Sequence, residues 1–205
     1  MNRLYIIFFL IPIIIIGCKS RDIDEKIISQ SINSLNMNIY SSDGIKLLSI
    51  KSPYSNYKKA INIFNLKETT IMLFKNNKGE YVITSDNSKL SNNNKLIELN
   101  GNVEVKTLIE DDKLYSNSFI WNIENSEFLL VGNVIFINNS ITLSSDKAIF
   151  NKTNNIIEFF NPVKYKVTNN KGGYEVNSQN AFYNIKTKSV TFTSKEEGVR
   201  SKIYF

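Results

Sequence analysis

The stretch KLYSNSFIWNIENSEFLLVGNVIF, residues 113–136, holds the pattern that decides the fold. Leu114 is followed two residues later by Ser116, Phe128 by Leu130, and Val134 by Phe136. Successive side chains of a strand point to opposite faces, so a two-residue step marks a strand that turns one face to a dry interior. No segment after residue 36 keeps the 3.6-residue period of a helix.

The pattern recurs along the chain. Ile50, Ile83, Leu114, Leu143 and Val176 follow one another at offsets of 33, 31, 29 and 33 residues. Two residues after each stands a serine: Ser52, Ser85, Ser116, Ser145 and Ser178. Five residues beyond the serine come Tyr57, Leu90, Trp121, Phe150 and Tyr183. Then come Phe64, Ile97, Phe128, Ile157 and Val190, each followed two positions on by Leu66, Leu99, Leu130, Phe159 and Phe192. The inner units end in Gly101-Asn102-Val103, Gly132-Asn133-Val134 and Asn161-Pro162-Val163, whereas the last has Glu196-Glu197-Gly198-Val199. A fixed period of about 31 residues indicates one supersecondary unit repeated in tandem. Thr84, Glu98 and Glu104 occupy the alternate, polar positions.

Clusters such as Asn76-Asn77-Lys78-Gly79 and Ser91-Asn92-Asn93-Asn94 read as turns. Ser42-Asp43-Gly44 reads as a tight hairpin between residues 37–40 and 45–50. Together these features predict an all-β chain of many short strands, folded as a roll or sandwich. The inward serines are small among large neighbours. They either leave room inside the fold or let two sheets approach closely.

The 205 residues suit one domain plus a targeting segment, and 42% apolar residues suffice for a core. The formal charge is +6, but the longest basic run is the pair Lys58-Lys59, so the charge reads as a solvated surface and not as a nucleic-acid footprint. Histidine is absent and Cys18 is the single cysteine. That excludes Ser-His and Cys-His nucleophiles, His-ligated zinc, cysteine clusters and an internal disulfide. Asp86 and Asp146 stand at equivalent places, but Asn117 and Gln179 replace them in other units. No recurring acid pair therefore supports the competing reading of a carbohydrate-active β-helix enzyme. No catalytic residue, metal site or cofactor is expected.

Arg3 precedes an apolar run from Leu4 to Ile16, interrupted at Pro12 and followed by Gly17-Cys18. Thirteen residues span only about 20 Å as a helix, short of the roughly 20 residues needed to cross a bilayer. The run suits the core of a signal peptide. Ile15-Ile16-Gly17-Cys18 resembles a bacterial lipobox, which implies lipidation at Cys18 and a lipid anchor. Residues 1–18 are thus expected to be a lipoprotein signal peptide, 19–36 a tether or short amphipathic helix, and 37–205 the β-domain. An uncleaved anchor remains the alternative for the first segment.

The repeat unit resembles the LptA/LptC/OstA-like repeat of lipopolysaccharide transport. Its features here are large-x-Ser, a second small residue (Ser88, Ala148, Ala181, with Ser55 and Ser118 also small), an aromatic, then apolar-x-apolar-x-Gly-Asn-Val. Residues 40–52, with Asp43-Gly44, look like the N-terminal hairpin of the LptC branch. The resemblance spans about residues 37–199. It implies an open antiparallel β-jellyroll with a greasy interior. It further implies a carrier at the periplasmic face of a bacterial membrane, the inner membrane by preference. Such a carrier would receive lipopolysaccharide from an inner-membrane ABC transporter and pass it to a homologous LptA-like protein. The family's usual transmembrane helix is replaced here by a lipobox.

Expected groove-lining residues are Ile83, Leu99, Val103, Val105, Trp121, Leu130, Val134, Phe136, Phe150, Phe159, Tyr165 and Phe192, which would equally suit a closed core. The last segment alternates Val199, Ser201, Ile203, Phe205 and is expected to pair with the partner by edge-strand addition. Two alternatives are a soluble LptA-like bridge protein and a surface or assembly lipoprotein without lipid cargo.

Overall fold

Each repeat folds as one β-hairpin, and the hairpins join edge to edge. The computed structural model describes residues 29–139, 141–169, 172–194 and 198–204. The signal segment, Cys18 and Phe205 lie outside the described residues. Among those described, twelve strands form a single antiparallel sheet. They are β1 (Ser29–Tyr40), β2 (Lys46–Lys58), β3 (Ile63–Lys75), β4 (Lys78–Ser91), β5 (Leu96–Thr107), β6 (Lys113–Asn122), β7 (Glu127–Asn138), β8 (Ile141–Asn151), β9 (Ile156–Asn169), β10 (Gly172–Asn184), β11 (Ser189–Thr193) and β12 (Arg200–Tyr204). Strands β1 to β11 follow in chain order, and β12 returns to pair with β10.

Asparagine makes the turns. Asn76 and Asn77 both take left-handed backbone angles, with φ of 50° and 61°. This is the conformation a two-residue hairpin needs to match the twist of its strands, and asparagine tolerates it well. Asn92, Asn93 and Asn94 do the same between β4 and β5.

The strands are longer than the sequence suggests. Most of them carry two of the alternating blocks, joined by a bend in mid-strand. The pairing register slips at that point in successive ladders, between Thr84 and Asn87 in β4, Asn100 and Val103 in β5, and Val131 and Val134 in β7. Gly101-Asn102 and Gly132-Asn133 sit inside strands as bulges, with φ of 80° and 45° in the first pair and 79° and 49° in the second. A Cβ on Gly101 would lie 2.6 Å from Asp86 Oδ2, so both backbone angle and space require glycine there.

The bends divide the sheet into two arms whose inner faces meet. One arm carries Ile50, Ile83, Val105, Leu114, Phe136, Leu143 and Tyr165. The other carries a continuous row of directly paired residues: Tyr57, Phe64, Leu90, Ile97, Trp121, Phe128, Phe150, Ile157, Tyr183 and Val190. Positions equivalent in sequence thus become neighbours in space. Rings from opposite arms touch at Tyr81–Phe150 (5.9 Å), Phe136–Tyr183 (4.5 Å) and Tyr165–Phe192 (5.2 Å). The result is an open roll, with β1 at one edge and β11 with β12 at the other.

Several expectations change. Residues 29–36, expected in the tether, belong to β1 and pair along β2 from Ser29↔Lys58 to Asn36↔Lys51, because Ile32 and Leu35 have a sheet edge to cover. The expected helical turn over Ile23, Ile27 and Ile28 lies outside the described residues. Ser118 does not fill the second small position. Phe119 does, pointing inward between Leu99 and Leu130, while Ser118 pairs with Val131 on the opposite parity.

Candidate functional site

The five repeated serines are the joints of the roll. In every repeat the serine hydroxyl donates to the backbone carbonyl two residues on. The bonds are Ser52 to Tyr54 O (2.7 Å), Ser85 to Asn87 O (3.1 Å), Ser116 to Ser118 O (2.9 Å), Ser145 to Lys147 O (2.9 Å) and Ser178 to Asn180 O (3.0 Å). A bulge disrupts the ladder locally, and an added bond to the carbonyl beside the slip braces the strand there. The serine supplies the donor. Its role is therefore to hold the bend, beyond merely being small. The next residue completes the joint: Asn102 Nδ2 donates to Asp86 Oδ2 at 2.8 Å, and Asn133 Nδ2 to Asn117 Oδ1 at 3.4 Å. Asp86, a member of the acid pair weighed in the enzyme reading, is a structural cap.

Sequence reasoning placed the serines but not this role. One signal was there: the step from Ser85 to Ser88, or Ser145 to Ala148, is three residues and breaks the two-residue period.

The twelve expected lining residues all face the space between the arms. Eleven are buried, and Phe192 is half-buried against the same cluster. Next to the bend the inner row alternates small and large: Ser88, Leu99, then Leu130, Ala148, Phe159, Ala181 and Phe192. Phe119 interrupts it with a large side chain. In this closed form the arms mesh. The void lined by Tyr81, Val105, Leu114, Phe136, Phe150 and Ile157 measures about 20 Å³. That is room for about one water molecule and not for an acyl chain. For these residues to line a groove, the arms must part.

A polar latch holds the arms together at the free side of the roll. Lys188, in the turn between β10 and β11, bonds Glu110 and Asp112 in the turn between β5 and β6, the latter at 3.1 Å. Asn138 donates to Asp112 and to the Tyr183 hydroxyl, the latter at 3.3 Å. Burial raises the Asp112 carboxyl above its ordinary pKa of 3.8, while the hydrogen bond and charge of Lys188 pull it back. Burial lowers Lys188, but its bonds to Glu110 and Asp112 outweigh this and leave it raised. Burial, with the nearby Asp112 charge, keeps the Tyr183 phenol neutral.

Beyond the latch the free side opens into a cleft of about 400 Å³. Leu47, Phe74 and Lys75 line it from one arm, and Trp121, Ile123, Lys152 and Lys186 from the other. The indole N–H of Trp121 is tied to Asn125 O at 3.0 Å, and its ring packs edge-on against Phe128 at 5.0 Å. Phe128 in turn meets Phe150, and Phe150 meets Tyr81 of the opposite arm. An aromatic ladder therefore runs from the cleft floor into the interior.

Residues 5–129, more than half of the chain, match the family described as "Lipopolysaccharide-assembly, LptC-related". The chain belongs to this family. Its LptC-related membership gives it a role in lipopolysaccharide transport, and residues 106–201 also match the OstA-like protein family. No curated protein matches the sequence. A solved structure with a similar outline is LptH from Pseudomonas aeruginosa, described as the LptA homologous periplasmic component of the lipopolysaccharide transport device. It shares 9% identity over 76% of this chain and 94% of that one, with a TM-score of 0.45. Among the described residues no helix of this LptC-related chain is long and apolar enough to cross a membrane.

Proposed function

We propose that this LptC-related protein is a non-catalytic carrier that takes lipopolysaccharide between its two arms and passes it along a chain of similar rolls. The observation that carries the reading is the continuous apolar inner wall of a sheet that is open at both edges. Moving one acyl chain of about 12 carbons through water costs on the order of 10 kcal/mol at about 0.8 kcal/mol per CH₂. An oily wall removes that cost. The lipid comes from an inner-membrane ABC transporter, and the receiver is a homologous LptA-like roll. Cys18 carries the lipid anchor that holds the domain at the periplasmic face of the inner membrane.

The C-terminal edge has the form required for handover. β12 uses one side to cover residues 173–177 of β10, and no strand flanks its other side among the described residues. Val199 and Ile203 are exposed there. A strand of the receiver would extend the sheet by main-chain pairing.

The test is photocrosslinking in cells from a benzophenone amino acid at Trp121 or Phe150. Lipopolysaccharide attached to both positions supports carriage. The filled interior also suits an assembly lipoprotein without lipid cargo, and that reading gains if neither position labels lipid while the protein remains folded.

A further inference from the structure

We propose that the cleft at the free side of the roll is the binding site for the anionic head of the carried lipid. The lysines of the lips hold the charged head, and Trp121 marks the way in for the acyl chains. This rests on the carrier reading above and adds where the head is taken and by what chemistry.

The charge balance of the cleft points to an anion. Lys75, Lys152 and Lys186 line it, and Glu124 is the one acid among the lining residues. Glu124 is already engaged, 2.6 Å from Lys95, and Lys75 has Glu80 at 3.5 Å. Among the described residues no carboxylate lies within ion-pair distance of Lys152 or Lys186, which come from the far ends of two neighbouring hairpins. Close by, the Lys46 ammonium sits 4.4 Å over the Phe74 ring. The cleft thus holds more positive than negative charge, and an anion placed beside Lys152 and Lys186 offsets the excess.

The floor of the same cleft is apolar, with Leu47, Phe74, Trp121 and Ile123. A free inorganic anion has no use for such a floor. An amphipath with a phosphorylated head and hydrocarbon tails uses both parts. Its tails would follow the ladder from Trp121 through Phe128 to Phe150, which leads between the arms. The cleft lies beside the latch, so head and tails would be bound on the two sides of the line along which the arms part.

The test uses the full chain in a mild nonionic detergent. Its single tryptophan, Trp121, reports on the cleft floor by fluorescence. The probes are a bisphosphorylated lipid A, the same lipid enzymatically dephosphorylated, and inorganic pyrophosphate. The variants are Lys152→Gln/Lys186→Gln and, as an interior reporter, a benzophenone amino acid at Phe150. The wild type is expected to bind the phosphorylated lipid about tenfold or more tightly than the dephosphorylated one, with an affinity that falls as salt rises. The double variant loses that preference and the salt dependence, yet still labels lipid from position 150. Pyrophosphate alone leaves the fluorescence unchanged. Equal binding of the phosphorylated lipid by wild type and variant, with labelling from position 150 intact, overturns the head site and leaves carriage standing. A fluorescence response to pyrophosphate equal to that for the lipid makes this an inorganic anion site and also overturns the proposal. Absence of labelling from position 150 with either lipid overturns carriage and the head site together.

Discussion

At the scale of single residues, the joint serines, with Gly101 and Gly132 in two of the bulges, shape the bend. Replacing Ser145 by alanine removes its hydrogen bond to the Lys147 carbonyl, a loss of about 1 kcal/mol. The same change at Ser85 or Ser116 is expected to cost a similar amount. The three effects should add, because alternate strands lie about 10 Å apart and share no partner. Urea midpoints of the single and triple variants check both points. Gly101→Ala is expected to cost more than the left-handed penalty of about 1–2 kcal/mol, since the new methyl also meets Asp86. In an Asp86→Ala background the cost of the same substitution should fall, which a double-mutant cycle measures. The serine positions are legible in the chain because they repeat. The hydrogen bonds they make are not, because each acceptor is the carbonyl just past the bend, which only the folded strand brings to the hydroxyl. Phe119 shows the same limit: its place three residues after Ser116 is readable, but not that it fills the crease between Leu99 and Leu130.

At the scale of elements, the latch and the C-terminal edge are where the proposed opening and partner pairing can be tested. Lys188→Met takes the cation from the buried Asp112 carboxyl. Lys188 is itself at the surface, so the loss is expected to be modest, about 1 kcal/mol at neutral pH. The Asp112 pKa is raised in the folded state, so its ionisation weakens the fold as pH climbs through the window above 3.8. Without Lys188 that penalty grows. The gap in melting temperature between wild type and Lys188→Met should therefore be wider at pH 7 than at pH 4. Lys188 is raised as well, so on the alkaline side the latch's contribution persists up to its ordinary pKa of 10.5 and is lost as pH rises through its folded value. Deleting residues 199–205 is expected to abolish pairing with the LptA-like partner in a pull-down and to leave the rest of the sheet folded. The melting temperature should drop slightly, because residues 173–177 of β10 lose one of their two neighbouring strands. Unchanged partner binding would count against edge addition at β12. The alternation of Val199, Ser201 and Ile203 shows a strand in the sequence. It does not show that β10 already occupies one of its sides, since that pairing depends on the break between β11 and β12.

At the scale of the whole molecule, the proposed carriage of lipid between the arms requires two states. The arms are shut here around a void too small for lipid, and carriage requires them to part. Cysteines at Glu110 and Lys188, in a chain with Cys18→Ser, bridged by a short bis-maleimide, should lock the shut form. The bridged protein is expected to lose lipid uptake while the unbridged double variant retains it, read by Trp121 fluorescence. Uptake by the bridged form would show that lipid binds without the arms parting along this line.

The chain by itself determined the strand class, the tandem unit, the inward face of each block and the family. These depend on local alternation and on turns made by asparagine, which act over a few residues. The tertiary structure decided that two blocks form one bent strand, that the arms close on each other and that lysines from separate hairpins share one cleft. Those outcomes depend on where the bends fall and on contacts between side chains far apart in sequence, such as Tyr81 with Phe150 and Lys188 with Asp112, which no local period encodes.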